Sequence, residues 1–259
     1  MTICNKRIFS VFLFLFLVVA AFFVFLQNKY VVPIMMYHSV DYSERTTGNN
    51  TNPRNFEKQM QFLKDHGYKV ISLEELVNII NGQKPLPKKS VVITFDDGFR
   101  NNYNHAFPIL KEYGYLATIF VITSVVGEAE HLTWAQIKEM ENHGIAISSH
   151  TLDHVYLPGT SEHIQNHQIA ESKKVLEQKL GHPVDFFCYP SGGFNDPIKK
   201  MVQKAGYKAA CTTNRGYALL NKDVYELKRI RFNDRDYPLS LWVKLSGFYN
   251  FFKAPRDPY

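Results

Sequence analysis

The stretch Val91-Val92-Ile93-Thr94-Phe95-Asp96-Asp97-Gly98 is an apolar run that ends abruptly in two adjacent carboxylates and a glycine. Valine, isoleucine, threonine and phenylalanine without polar alternation predict a strand covered on both faces, delivering acid groups to a surface. Neighbouring aspartates repel each other, so the pair is costly unless a cation or a proton gives them separate roles. A solvated Asp-Gly turn is the plain alternative. The segments on either side decide between the two.

Working outward, residues 31–37, 69–71, 117–121, 145–148, 186–189 and 207–212 read as further short strands. Helical patterns separate them. Phe56, Met60 and Leu63 share one helical face, Ser72-Leu73-Glu74-Glu75 reads as a capping box, and Pro108 opens onto a helix that stops near Gly114. Thr133 and Gln136 cap the next helix, 161–180 reads as a long one closed by Gly181, and 196–205 ends at Gly206. About seven strands alternating with helices predict parallel βαβ units, in a barrel or an open sheet. Barrels of this type gather their chemistry at the C-terminal ends of strands. His38, Asp96-Asp97, His150 and Pro190-Ser191 all follow such ends and would share one face.

The chain has 259 residues and 45% hydrophobic content, room for one large α/β domain or two small ones. Its first part differs. After Lys6 and Arg7, residues 8–26 are apolar apart from Ser10, about 19 residues, enough to span a bilayer core. A cleavable signal would have a shorter apolar region and a small-residue site where Phe22-Phe23-Val24-Phe25-Leu26 stands. The expectation is an uncleaved anchor at 1–29 with a cytoplasmic N-terminus and an extracytoplasmic domain at 30–259; secretion after cleavage is the alternative. The net charge of +6 falls to 27 basic against 24 acidic residues once Lys6, Arg7 and Lys29 are set aside. That balance is too weak and dispersed to indicate nucleic acid. Cys188 and Cys211 either pair in an oxidising compartment or sit unpaired in neighbouring strands.

His150-Thr151-Leu152-Asp153-His154 places two imidazoles four residues apart just past a strand, a spacing that brings both to one metal if the segment makes a single turn. His163 and His167 have the same spacing but read as polar positions on an exposed helix. Two histidines and a carboxylate match a catalytic zinc site with an open position for water. One aspartate of the pair would then bind the metal while the other accepts a proton. His38, on the same rim, is a candidate general acid.

Together Thr94-Phe95-Asp96-Asp97-Gly98, His150 to His154 and the Tyr189-Pro190-Ser191-Gly192 stretch resemble the first three motifs of the polysaccharide deacetylases with a NodB-type homology domain, carbohydrate esterase family 4. The resemblance covers residues 31–235. It implies a distorted (β/α)7 barrel, with Asp96 as base and Asp97, His150 and His154 as ligands of a divalent metal. Zinc is favoured; cobalt, nickel or iron are tolerated by the same donors. The Ser191 N–H would be the oxyanion donor, with Tyr189 and Pro190 beside the substrate.

Two departures shape the reading. No histidine follows His182, whereas Met35-Met36-Tyr37-His38 resembles the permuted members, such as the poly-N-acetylglucosamine deacetylases, in which the acid motif comes first. Cys188 stands where the third motif commonly has arginine, so the arginine that orients the base is missing or comes from Arg229 or Arg231. A clear Asp-x-x-Asp-Trp fourth motif is absent; Trp134 and Trp242 are expected to pack in the core or a groove, and 239–252 to cover the barrel. The implied activity is metal-dependent removal of N-acetyl groups from an N-acetylglucosamine-containing polysaccharide at the cell surface. Permutation leans towards β-1,6-linked exopolysaccharide, with peptidoglycan and chitin fragments open. An O-acetyl esterase and a non-catalytic glycan-binding barrel are the alternatives, and the oligomeric state is not legible.

Overall fold

All six residues of the strand Ser90–Phe95 are buried, as its unbroken β-forming sequence requires. The computed structural model describes residues 3–27, 31–42, 49–213 and 222–249. In chain order the elements are α1 (Ile3–Gln27), β1 (Ile34–Tyr37), β2 (Ser39–Val40), β3 (Asn50–Thr51), α2 (Pro53–Asp65), β4 (Lys69–Val70), α3 (Leu73–Ile80), β5 (Ser90–Phe95), α4 (Phe107–Tyr113), β6 (Ala117–Val121), α5 (Trp134–Glu141), β7 (Ile145–Ser149), α6 (Glu162–Leu180), β8 (Phe186–Cys188), α7 (Asp196–Lys204), β9 (Ala209–Thr212), β10 (Leu227–Lys228), β11 (Ile230–Arg231) and α8 (Pro238–Leu245).

The main sheet runs β10-β9-β8-β7-β6-β5-β1-β11, every pairing parallel. Only Arg229 separates β10, which pairs with β9 at one end of this order, from β11, which pairs with β1 at the other. Residues 227–231 therefore act as one strand stitched to both ends, and the sheet is a nearly closed barrel of seven strand positions. The expected barrel is present, with one strand exchanged. β4 pairs beside the start of β5 and stands outside the ring, because two residues reach only Ser90 and Val91. The seventh place is taken by 227–231, which the sequence reading did not assign.

Period-two alternation divides the side chains into two packed sets. Met35, Tyr37, Ile93, Phe95, Ile119, Ile147 and Phe187 meet the helices, including Phe56, Met60 and Leu63 of α2. Ile34, Val92, Phe120, Phe186, Cys188, Ala209, Cys211 and Leu227 fill the interior, and Leu73, Leu76 and Val77 of α3 pack with them. Cys188 and Cys211 are register partners in β8 and β9, both buried and both free thiols.

The helix signals hold with one shortfall. Thr133 and Gln136 make a full capping box, whereas at α3 the Ser72 side chain caps Glu75 N–H but Glu75 turns to Lys69. Leu241 and Leu245 of α8 cover the barrel as expected, although residues 250–252 of that stretch lie outside the described residues. Trp134 packs against the core, but Trp242 is 60% exposed: one position after Leu241, it turns to the solvent side of α8 instead of the barrel.

The proposed anchor coincides with α1, where Phe9, Phe12, Phe14 and Phe16 are exposed. Among the described residues no helix is long and apolar enough to cross a membrane. A transmembrane helix is thus not supported by the structure.

Candidate active site

Inward-facing positions of β5 are Val92, Thr94 and then Asp96, so the alternation that buries Val92 also aims Asp96 into the barrel mouth. Asp97 would point away were the strand to continue. Its left-handed φ of 70° returns it to the rim. Of the described non-glycine residues with positive φ, Asp97, Thr151, His154 and Ser191 all lie in the site loops, Lys89 being the other. Such conformations cost on the order of 1–3 kcal/mol each and persist where the surroundings hold them.

Asp97 Oδ1 stands 3.5 Å from Nε2 of both His150 and His154. These are not ion pairs in a neutral solution, because burial pushes His150 down to about 4 and lowers His154 as well. They are three donor atoms converging on one point. Ligands at about 2.05 Å in tetrahedral arrangement lie about 3.3 Å apart, so the spacing fits a zinc-sized cation. His150 Nδ1–H donates to the Cys188 carbonyl at 2.8 Å, which leaves the Nε2 lone pair facing Asp97. His154 is held by its loop: its N–H donates to Thr151 Oγ1, and Gln168 of α6 accepts from the N–H groups of Leu152 and Asp153 while donating to the Asp153 carboxylate. Burial and the Asp96 charge raise Asp97 to about 7, a penalty that a bound cation would remove.

Asp96, 2% exposed, is gripped by Arg229, whose two terminal nitrogens donate to its two oxygens at 2.6 and 2.7 Å. Burial alone would raise this carboxyl. The guanidinium charge and the paired hydrogen bonds more than offset that and hold it well below the ordinary range. Arg229 is fixed in turn by the Thr212 carbonyl, Thr94 Oγ1 and Cys188 Sγ, and lies 5.5 Å from the Phe120 ring. Arg229 thus holds Asp96, whereas Arg231 is exposed on β11. Asp96, His150 and Cys188 also converge, but the Asp96 oxygens are committed to Arg229 and burial keeps the Cys188 thiol protonated, so that trio is no metal site.

His38 Nε2 is 3.9 Å from Asp96 Oδ2, and its buried Nδ1 has no hydrogen-bond partner among the described residues. Burial lowers its pKa, with Arg229, Arg231 and His154 adding to the effect and Asp96 opposing it. Ser191 is exposed on a tight turn, Pro190–Gly192, and its N–H makes no hydrogen bond among the described residues. Tyr189 corrects the expectation. By alternation it faces the helices, stacks on Phe194 and donates to the Tyr225 carbonyl, and Pro190 is buried beside it, so neither side chain reaches substrate. His163 and His167 are exposed on α6, as read from the sequence.

Comparison with known proteins agrees with this geometry. The profile of the polysaccharide deacetylase family matches residues 83–210. YxkH of Bacillus subtilis, a protein named for that activity, is 39% identical over 202 residues, covering 77% of this chain and 71% of its own. Poly-beta-1,6-N-acetyl-D-glucosamine N-deacetylases of Staphylococcus aureus are 31% identical over 193 residues, covering 69% of this chain and 66% of theirs. The solved structure of the Streptococcus pyogenes deacetylase PplD in complex with acetate superposes with a TM-score of 0.77 at 36% identity, over 83% of this chain and 98% of that one. On sequence, fold and the convergence of its acidic and imidazole side chains, the chain belongs to the polysaccharide deacetylase family and is an enzyme.

Proposed function

We propose that this enzyme removes N-acetyl groups from a β-1,6-linked N-acetylglucosamine polymer at the cell surface, using a divalent cation held by Asp97, His150 and His154. The observation that carries the reading is the pair of aspartates with divided surroundings: Asp97 against two imidazoles, Asp96 against Arg229. The names of the staphylococcal relatives and the early position of the His38 motif support the polymer. The apolar run at 8–26 supports presentation outside the membrane, and protease treatment of intact cells, which should degrade residues 30–259 there, tests it.

A cation in that position supplies Lewis acidity towards the acetyl carbonyl and towards water. Arg229 keeps Asp96 ionised and oriented, so that it can take the proton of the attacking water. The Ser191 N–H is free to donate to the oxyanion. His38, held neutral by burial and 3.9 Å from Asp96 Oδ2, receives that proton through one bridging water and passes it to the departing amine. The nitrogen leaves protonated and the acetyl group leaves as acetate.

Replacing Asp96 with Asn should abolish acetate release from a poly-β-1,6-N-acetylglucosamine substrate while metal content, read by elemental analysis, is retained. Acetate release that survives this change would sink the mechanism. Running the unaltered enzyme against the β-1,6 polymer, peptidoglycan and chitin oligomers tests the choice of polymer.

A further inference from the structure

Tyr156 lies two residues beyond His154, and its ring crosses to the turn that carries Ser191. A Cβ built on Gly193 would collide with that ring, within 3.0 Å of its Cδ2 and Cζ. The ring thus rests directly on backbone, spanning the loop that supplies a metal donor and the loop that supplies the free N–H. It is nevertheless 42% exposed. Among the described residues the other exposed aromatics are placed differently: the phenylalanines of α1 lie outside the barrel sequence, Tyr237 and Trp242 stand on or beside the outer face of α8, and Tyr42 turns its ring edge-on to His105.

A large ring seated on a glycine beside a reactive centre is a rigid, flat surface with little conformational entropy left to lose on binding. A pyranose offers a matching flat face of C–H groups. We propose that Tyr156 is the platform on which the sugar at or next to the scissile acetamide stacks, making it a specificity-determining residue for the polymer. The tyrosine fixes the plane of the sugar, and the neighbouring Ser191 N–H and Asp97-His150-His154 cluster then meet its acetamide. This inference rests on the deacetylase reading and adds a residue outside the motifs that identify the family.

Gly193 gives the proposal a second handle. Its φ is −79°, which alanine tolerates, so Gly193→Ala pushes the ring off its seat without straining the turn. The test uses the full chain carrying Asp96→Asn, so that binding is read without turnover, and titrates a soluble β-1,6-linked N-acetylglucosamine oligomer. Tyr156→Ala should weaken binding about tenfold, the order of a lost stacking contact, while Tyr156→Phe stays within about twofold. Gly193→Ala should weaken binding too, and the double variant should be no worse than Tyr156→Ala, the non-additivity expected of one shared contact. With Asp96 restored, the loss should appear in KM rather than kcat. Unchanged oligomer affinity in Tyr156→Ala overturns the proposal, as does a fall confined to kcat, which would make the ring a prop for the Ser191 turn. A wild-type enzyme that binds the oligomer through Tyr156 but releases no acetate counts against the deacetylase reading alone.

Discussion

Asp96 and Asp97 are chain neighbours whose carboxyls are driven in opposite directions, one down by Arg229, the other up to about 7 by burial and by its neighbour's charge. For an acid whose folded pKa is raised, the charged form is what the folded protein resists, and the cation must displace a proton from Asp97 below that value. His150, already neutral above about 4, contributes nothing in this window, and His154, lowered by burial from its ordinary value, adds a proton only towards the acid end. Cation affinity should therefore fall as pH drops through 7, approaching about tenfold per pH unit, at least one proton, measured by chelator competition between pH 5.5 and 8. A flat profile there would refute the assignment of Asp97 as ligand. His38 is separable by leaving group. His38→Asn should slow N-deacetylation by on the order of 10²- to 10⁴-fold yet barely change hydrolysis of p-nitrophenyl acetate, whose phenolate departs without a proton. Equal losses on both substrates would remove His38 from the role of acid. Asp96, Asp97, His150 and His154, which the structure brings together, were legible as residue types at the ends of strands. Arg229 was legible only as one of two candidates beside Arg231, since 75 residues separate it from His154 and nothing local to Cys188 chooses between them.

At the scale of elements, the site hangs on loops that secondary structure elsewhere holds in shape. Gln168 is a buried polar residue in the middle of α6, where a sequence reading sees only one more helical position. Its amide closes on Leu152 and Asp153 and so sets the turn that aims His154. Gln168→Ala leaves two N–H groups without their acceptor, at about 1–3 kcal/mol each where they are shielded from water. The expected outcome is an apoprotein roughly 2 kcal/mol less stable in urea, with weaker cation retention; unaltered retention would show that the turn holds itself. Helix boundaries were readable because caps are local chemistry, as Thr133 with Gln136 demonstrates. Tyr189 was misplaced for a related reason: motif proximity says nothing about which face of a strand a side chain takes, whereas alternation from the inward Cys188 turns it to the helices.

Considered whole, the fold is decided by its closure. Strands 31–37, 117–121 and 145–148 declare themselves as largely apolar, uncharged runs, but Leu227-Lys228-Arg229-Ile230-Arg231 mixes charge with apolar residues because it lies at the seam and donates its central side chain to the site. Its only strand-like cue is the alternation of Ile230 and Phe232 with basic residues. Two short two-residue ladders, with Phe232 N–H donating to the Met36 carbonyl, hold this seam. Amides of β10 and β11 should accordingly exchange with deuterium before those of β5 to β7, in a native-state hydrogen-exchange measurement. Exchange at the seam no faster than in β5 would mean that closure is as stable as the wall.

The crossing at Arg229 also has a meaning in time. A chain made from its N-terminus acquires Asp96, Asp97, His150 and His154 well before it acquires the residue that neutralises Asp96. Until residues 227–231 are in place, Asp96 has no counter-charge, and its carboxyl is held in the ionised form less firmly than in the complete fold. Charge pairing at Asp96 and completion of the wall thus come from the same five residues, so a nascent or clipped chain that ends short of Arg229 lacks both at once.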